Sequence, residues 1–150
     1  MLDFKAAVDL MNDALRAMLE SSLLIEHTKQ RFLMAKDILG LATPYLPDVG
    51  SMKARLDESR DLYRHRKYQQ SLDMSEELIS STEAVLVDHI DELLADMREA
   101  IDRAEGSGAN VDEARDALKA ATSLRDIGED IEALDIALGI PHMLEAGGQG

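Results

Sequence analysis

The chain has 150 residues, 45 % of them hydrophobic but only 3 % aromatic, and thirty acidic side chains against sixteen basic ones give it a net charge of −14. That is room for one ordinary domain with enough apolar material for a core. With no Trp and eight Met, the core must be assembled from aliphatic and Met side chains, which suit helix-on-helix packing. The lack of cysteine removes disulfides, thiolate nucleophiles and Cys-bearing zinc sites. The acidic field repels phosphate backbones and anionic lipid, so neither nucleic acid nor a membrane surface is expected as a partner, and surplus acid also serves solubility. No run approaches the ~20 apolar residues that span a bilayer. The opening Met1-Leu2-Asp3-Phe4-Lys5 lacks the basic flank and apolar stretch of a signal peptide, and the cytoplasm is the expected compartment.

Between a small number of breakers, apolar residues recur at intervals of three and four. Val8, Met11, Leu15, Met18, Ser22, Ile25, Phe32, Ala35 and Leu39 trace one stripe, which predicts a single helix over 3–40. Pro44, Pro47 and Gly50 mark a loop. Ser51 is a fair N-cap for a short helix to about Arg64, carried by Met52, Leu56, Ser59, Leu62 and Tyr63. The stripe from Leu72 through Leu78, Ile79, Val85, Leu86, Leu93, Met97 and Ile101 predicts a second long helix over 68–104. Gly106-Ser107-Gly108-Ala109-Asn110 is a loop, after which Asn110 or Asp112 caps a short helix ending near Asp126. Gly128 precedes a last helix over 130–138, Gly139 and Pro141 end it, and Gly147 to Gly150 read as a mobile tail.

The expected fold is therefore all-α, an antiparallel array of about five helices in the order long, short, long, short, short. A short helix cannot cover a long one, so each packs on half of the long helix on either side. Two overlapping three-helix bundles that share the second long helix result. The first half of helix 1 has no preceding short helix, which leaves Val8, Met11, Leu15 and Met18 without an intramolecular cover and predicts association there.

A shift of 62 residues places Val49-Gly50-Ser51-Met52 on Val111-Asp112-Glu113-Ala114, Leu56 on Leu118, Leu62 on Leu124 and Leu72 on Leu134. Loop positions align as well as stripes, which points to a duplicated unit within a single domain over 1–146. Val111-Asp112-Glu113-Ala114 followed by Gly128-Glu129-Asp130-Ile131-Glu132-Ala133-Leu134 resembles the hairpin texture of archaeal and bacterial helical-repeat, tetratricopeptide-like proteins, over about 40–140. The other copy, Arg66-Lys67-Tyr68-Gln69-Gln70-Ser71-Leu72, keeps the aromatic and the Leu but lacks the Gly, and the period exceeds the roughly 34 residues of a tetratricopeptide repeat. The resemblance implies a binding scaffold without chemistry of its own. A repeat of this kind also fits one segment of a longer array.

The residues give no opposing signal. The positions three before His27, His65, His89 and His142 are Leu24, Leu62, Leu86 and Gly139, so the Glu-x-x-His ligand pairs of di-iron bundles are missing. Asp61 with His65 and His89 with Glu92 have helical spacing but fall short of the three or four ligands zinc needs. There is no nucleophile elbow and no phosphate loop, since Gly106-Ser107-Gly108 lacks a preceding strand and a following Lys-Ser/Thr. No metal, cofactor or catalytic residue is expected. The one basic cluster, Arg55, Arg60, Arg64, His65, Arg66 and Lys67 with Tyr63 and Tyr68 nearby, stands out from the acidic field. Its Arg60, Arg64, Arg66 and Lys67 join Val8, Met11, Leu15 and Met18 as candidate partner contacts. The expected function is a non-enzymatic interaction or scaffold module, self-associating or bound to a protein partner. The alternative is a small helical-bundle signalling or enzyme subunit using His27 or His89.

Overall fold

Asp3 opens the first helix. Its side chain accepts from the Ala6 backbone N–H at 3.3 Å, satisfying one of the donors a helix start leaves orphaned. The computed structural model describes residues 3–148, and over these residues the chain is all-α. It forms seven α-helices: α1 Phe4–Ala42, α2 Val49–Arg64, α3 Tyr68–Asp88, α4 Ile90–Gly106, α5 Asp112–Asp126, α6 Asp130–Leu138 and α7 Ile140–Gly148, with a 3-10 turn over Thr43–Tyr45. The expected unbroken helix near the N-terminus is present as α1, 39 residues long.

Three details correct the sequence reading. The helix expected over 68–104 is two helices, interrupted at His89, whose backbone has φ −112° and ψ 23°. Its N–H is shared between the Val85 carbonyl at 3.1 Å and the Leu86 carbonyl at 3.2 Å, a bifurcation common at helix ends. Leu86, Ile90, Leu93 and Met97 are buried on both sides of the break, so the apolar phase passes through it unchanged and periodicity alone cannot register it. The charges do register it: Asp91 and Glu92 sit in the first turn of α4, where the helix dipole favours acid, while Asp88 ends α3, where it does not. Second, Asp48 rather than Ser51 caps α2, its carboxylate accepting from the Ser51 N–H at 3.1 Å. Third, the chain forms one more helix after Gly139. Pro141 stands in the first turn of α7, where a missing N–H breaks no helical bond. Of the expected tail, Gly147 and Gly148 end α7, and residues 149–150 lie outside the described residues. Gly147 packs so closely on the Asn110 carbonyl that a Cβ built there would collide with its oxygen.

The contacts divide the chain into two units, residues 3–37 with 48–79 and residues 38–47 with 80–148. In the first unit α2 and the start of α3 lie on the C-terminal part of α1. Thr28, fully buried, donates to the Leu24 carbonyl at 2.7 Å and reaches the Tyr68 carbonyl at 3.4 Å. Arg31 binds both oxygens of Glu76 at 2.9 Å, and the Arg60 guanidinium lies 6.0 Å from the centre of the Phe32 ring. Between α2 and α3 the contact is made of hydroxyls. Ser59, Ser71 and Ser75 are buried and joined by bonds of 2.9 and 3.1 Å, with Ser71 donating to the Ser59 carbonyl at 2.7 Å. Small side chains let the two backbones approach, and the hydrogen bonds offset the cost of burying polar atoms.

The second unit uses alanine in the same way. Ala114, Leu118 and Ala121 of α5 and Ala133, Leu134 and Ala137 of α6 are buried. Arg115 ties α5 to Asp102 at 3.0 Å and to Glu105 on α4, and Arg125 spans Asp91 at 3.1 Å and Asp130 at 3.2 Å.

The turns after α2, α4 and α5 have one construction. After α2, the Lys67 N–H donates to the Leu62 carbonyl at 2.9 Å and the Arg66 N–H to that of Tyr63 at 3.0 Å. After α5, Glu129 donates to Leu124 at 2.9 Å and Gly128 to Arg125 at 3.1 Å, and after α4 Ala109 donates to Ala104 at 3.0 Å and Gly108 to Glu105 at 2.9 Å, so this is a general way of ending a helix here and not a mark of the 62-residue offset. This double bond requires a left-handed residue at its centre, and that residue is Arg66 (φ 62°), Gly108 (φ 89°) and Gly128 (φ 88°) in the three turns. A side chain in this conformation costs roughly 1–2 kcal/mol, partly offset by the greater flexibility of unfolded glycine, ~0.5–1 kcal/mol. Arg66→Gly is therefore expected to raise stability by about 0.5–1 kcal/mol and Gly128→Ala to lower it by about 1 kcal/mol, read from urea midpoints. An unchanged midpoint in both variants would contradict the shared turn.

Candidate functional site

Asp3 and residues 4–23 of α1 are exposed on every side. Phe4, Leu10, Met11, Leu15, Met18, Leu19 and Leu23 are 57–80 % exposed and Val8 is 37 % exposed, which puts eight of the eleven exposed large hydrophobics of the described chain in twenty residues. Scattered apolar side chains are normal at a surface; a concentration of this kind is not. The four residues picked out by their stripe, Val8, Met11, Leu15 and Met18, lie on one face with Phe4 a turn before them. Leu10, Leu19 and Leu23 widen that face beyond the stripe. Their signal in the sequence was density rather than period, since every third residue or so of this segment is large and apolar.

Small residues run down the helix beside the stripe. Ala7, Ala14, Ser21, Thr28, Ala35 and Ala42 recur every seventh position. Thr28 and Ala35 are buried in the first unit and Ala42 in the second, whereas Ala7, Ala14 and Ser21 are exposed. The row that admits neighbouring helices in the covered half thus continues into the uncovered half.

The basic candidates gather at the turn between α2 and α3. Arg60 is half-buried, ion-paired with Asp57 at 3.0 Å and close to the Phe32 ring, so its position follows from packing. Arg64 stands in the last turn of α2, where the dipole favours a cation. Arg66 holds the left-handed turn position, and Arg64, Arg66 and Lys67 are exposed. The Tyr63 and Tyr68 rings meet edge to face at 5.3 Å across this turn.

The histidines are not brought together. His27 is exposed on α1 in the first unit, and His89 lies at the α3–α4 break in the second. The His89 ring stacks on Tyr45 with centroids 5.6 Å apart, and its Nδ1 is 3.5 Å from Glu92. The Tyr45 hydroxyl donates to Asp96. Burial first, then the hydrogen bond and negative charge of Asp96, hold that phenol protonated well above the ordinary tyrosine range. A phenol so held is a poor proton donor near neutrality, which fits a structural clamp between the 3-10 turn and α4. His65 Nδ1 lies 2.7 Å from the Asp61 carbonyl, a bond that closes the end of α2. Among the described residues no three His, Asp or Glu side chains group as a metal ion would need, and no helix is long and apolar enough to cross a membrane.

No family model, curated protein or solved structure matches the chain. The geometry of the molecule itself therefore carries the functional argument.

Proposed function

We propose that this chain is a non-enzymatic protein-interaction module, a helical-repeat scaffold of the cytoplasm that associates through the exposed half of α1 with a second copy or with a protein partner. The supporting observation is the concentration of exposed apolar side chains between Phe4 and Leu23. Each such side chain is worth about 1.5–3 kcal/mol when fully buried, and a helix of this length without tertiary cover is marginal in water. The chain gains stability in this segment from a cover it does not supply itself. The resemblance to helical-repeat scaffolds agrees with this reading. The exposed cations at the α2–α3 turn would give an acidic partner a second point of attachment.

Amide hydrogen exchange with light scattering on the same samples tests it. In dilute monomer the amides of residues 8–23 are expected to exchange quickly, and to become protected as mass rises with concentration or on adding a purified partner. Strong protection of these amides in a dilute monomer would sink the reading, because the helix would then need no cover.

A further inference from the structure

We infer that the groove between α4 and α5 binds the phosphate group of a small phosphomonoester, held by Arg98, Lys119 and Ser123. The groove lies wholly within the second unit, so this site is independent of the exposed half of α1.

The helices α4 and α5 run side by side in opposite directions, and two ion pairs fix their register. Arg125 reaches Asp91 at 3.1 Å near one end of the seam, and Arg115 reaches Asp102 at 3.0 Å near the other. In both layers a cation faces an acid. The layer between them departs from this. There Arg98 of α4 is level with Leu118 and Lys119 of α5, and the two cations line one groove of about 370 Å³ with Arg115, Leu118, Thr122 and Ser123. Among the described residues neither Arg98 nor Lys119 has an ion pair. Asp102 lies one turn from Arg98 along α4 but is engaged by Arg115.

A chain with thirty acidic and sixteen basic residues has little need to set two cations on one groove. An acid at either position would replace a repulsion by an attraction. Packing explains part of the arrangement. Long aliphatic stems on both sides suit the cover of Leu118, which is only 6 % exposed. That accounts for long side chains and leaves the choice of two cations unexplained, since a glutamate at 119 would pair with Arg98.

The donors point to the ligand. The Arg98 guanidinium offers a planar fork of N–H groups and the Lys119 ammonium a compact charge. Ser123 is exposed, and its hydroxyl has no hydrogen bond among the described residues. Thr122 gives its proton to the Leu118 carbonyl at 2.8 Å and is not available as a donor. Donors from three side chains suit a tetrahedral group with several acceptor oxygens better than a carboxylate with two. Charge agrees, because a phosphomonoester carries about −1.5 to −2 near neutrality and so matches two cations, while a carboxylate would leave one uncompensated. The surroundings limit the size of the ligand. Glu99 and Asp116, each next in sequence to a lining arginine, are exposed, and the whole chain carries −14. This field repels any polyanion reaching past the groove, which favours a small molecule with its charge confined to one group.

Amide NMR spectra recorded during titration with sodium phosphate, phenyl phosphate or sodium acetate test the site. The titrations are run at about pH 7.5, where a phosphomonoester is mainly dianionic, with chloride adjusted to hold ionic strength constant. Both phosphates are expected to give saturable shifts at residues 98 and 118–123, with dissociation constants in the millimolar range. Arg98→Gln and Lys119→Gln should each weaken binding at least about fivefold, the size of one exposed charged contact. Arg103→Gln, an exposed cation of α4 outside the groove, should leave it unchanged. Lys119→Glu should abolish binding and raise the melting temperature by about 1–2 °C. Shifts that do not saturate, or that persist in the double Arg98→Gln, Lys119→Gln variant, would overturn the site. Acetate bound as tightly as phosphate would overturn the choice of ligand, and binding of inorganic phosphate without phenyl phosphate would overturn the ester. A lower melting temperature for Lys119→Glu would show that the two cations do not oppose one another and would remove the premise.

Discussion

Met11→Glu combined with Leu15→Glu is expected to abolish assembly through α1 and leave both folded units as stable as before. In the unmodified chain these side chains are 60 % and 57 % exposed, so a charge there costs the isolated chain little, within about 0.5 kcal/mol for a surface change. In the assembly proposed for this segment the same positions would be buried. Each substitution removes a buried apolar group worth about 1.5–3 kcal/mol and requires a carboxylate to be dehydrated without a cation beside it. If the cover is a second copy, every change is counted twice. The dissociation constant should rise by more than about 1,000-fold, since roughly 4 kcal/mol already gives that factor. Light scattering should find a single chain at all workable concentrations, and the urea midpoint measured in dilute solution should not move. An assembly that persists in this variant would place the interface elsewhere, with the exposed cations of the α2–α3 turn next to be examined.

The second large effect lies within α3, where two fully buried side chains one turn apart should respond in opposite directions. Leu86 is 0 % exposed. Truncation to alanine forfeits its transfer energy and leaves a cavity in a core that cannot fully collapse, a loss of about 2–5 kcal/mol. Thr82, also 0 % exposed, has a hydroxyl oxygen with no hydrogen-bond partner. Its burial costs about 1–3 kcal/mol with nothing in return, and valine has nearly the same shape without the polar atom. Thr82→Val should therefore raise stability by about 1 kcal/mol, while Leu86→Ala lowers it several times as far. Calorimetry on the two variants separates these outcomes. A destabilised Thr82→Val protein would show that the hydroxyl is satisfied, for instance by an internal water.

Much of the architecture was readable from residue order because helices and their ends are local. The stripe from Val8 to Leu39 encodes α1, Pro44 and Pro47 bracket the loop after it, and Gly128 marks the break before α6, where its left-handed backbone uses glycine's freedom. The same turn at Arg66 was recognisable only as a degraded copy, since an arginine carries no conformational signal. The break at His89 escaped because Leu86, Ile90 and Leu93 keep the helical phase across it. The helix α7 is not visible in residue order because Pro141 after Gly139 signals a stop, and a proline in a first turn is equally compatible with a start.

What residue order decided by itself was the helical class, the acidic exterior and the presence of an apolar stripe along the start of α1, all of them consequences of side-chain chemistry and a period of 3.6 residues. Tertiary structure decided which stretches of stripe are covered. From Leu24 onward α1 has neighbours in α2 and α3, admitted by Thr28, Ser59, Ser71 and Ser75, while among the described residues the stretch before it is exposed throughout. The serines meet only because the left-handed turn at Arg66 brings α2 and α3 face to face. Burial depends on which segments a turn brings together across the chain, and a pattern along one helix states only that the helix is able to be buried.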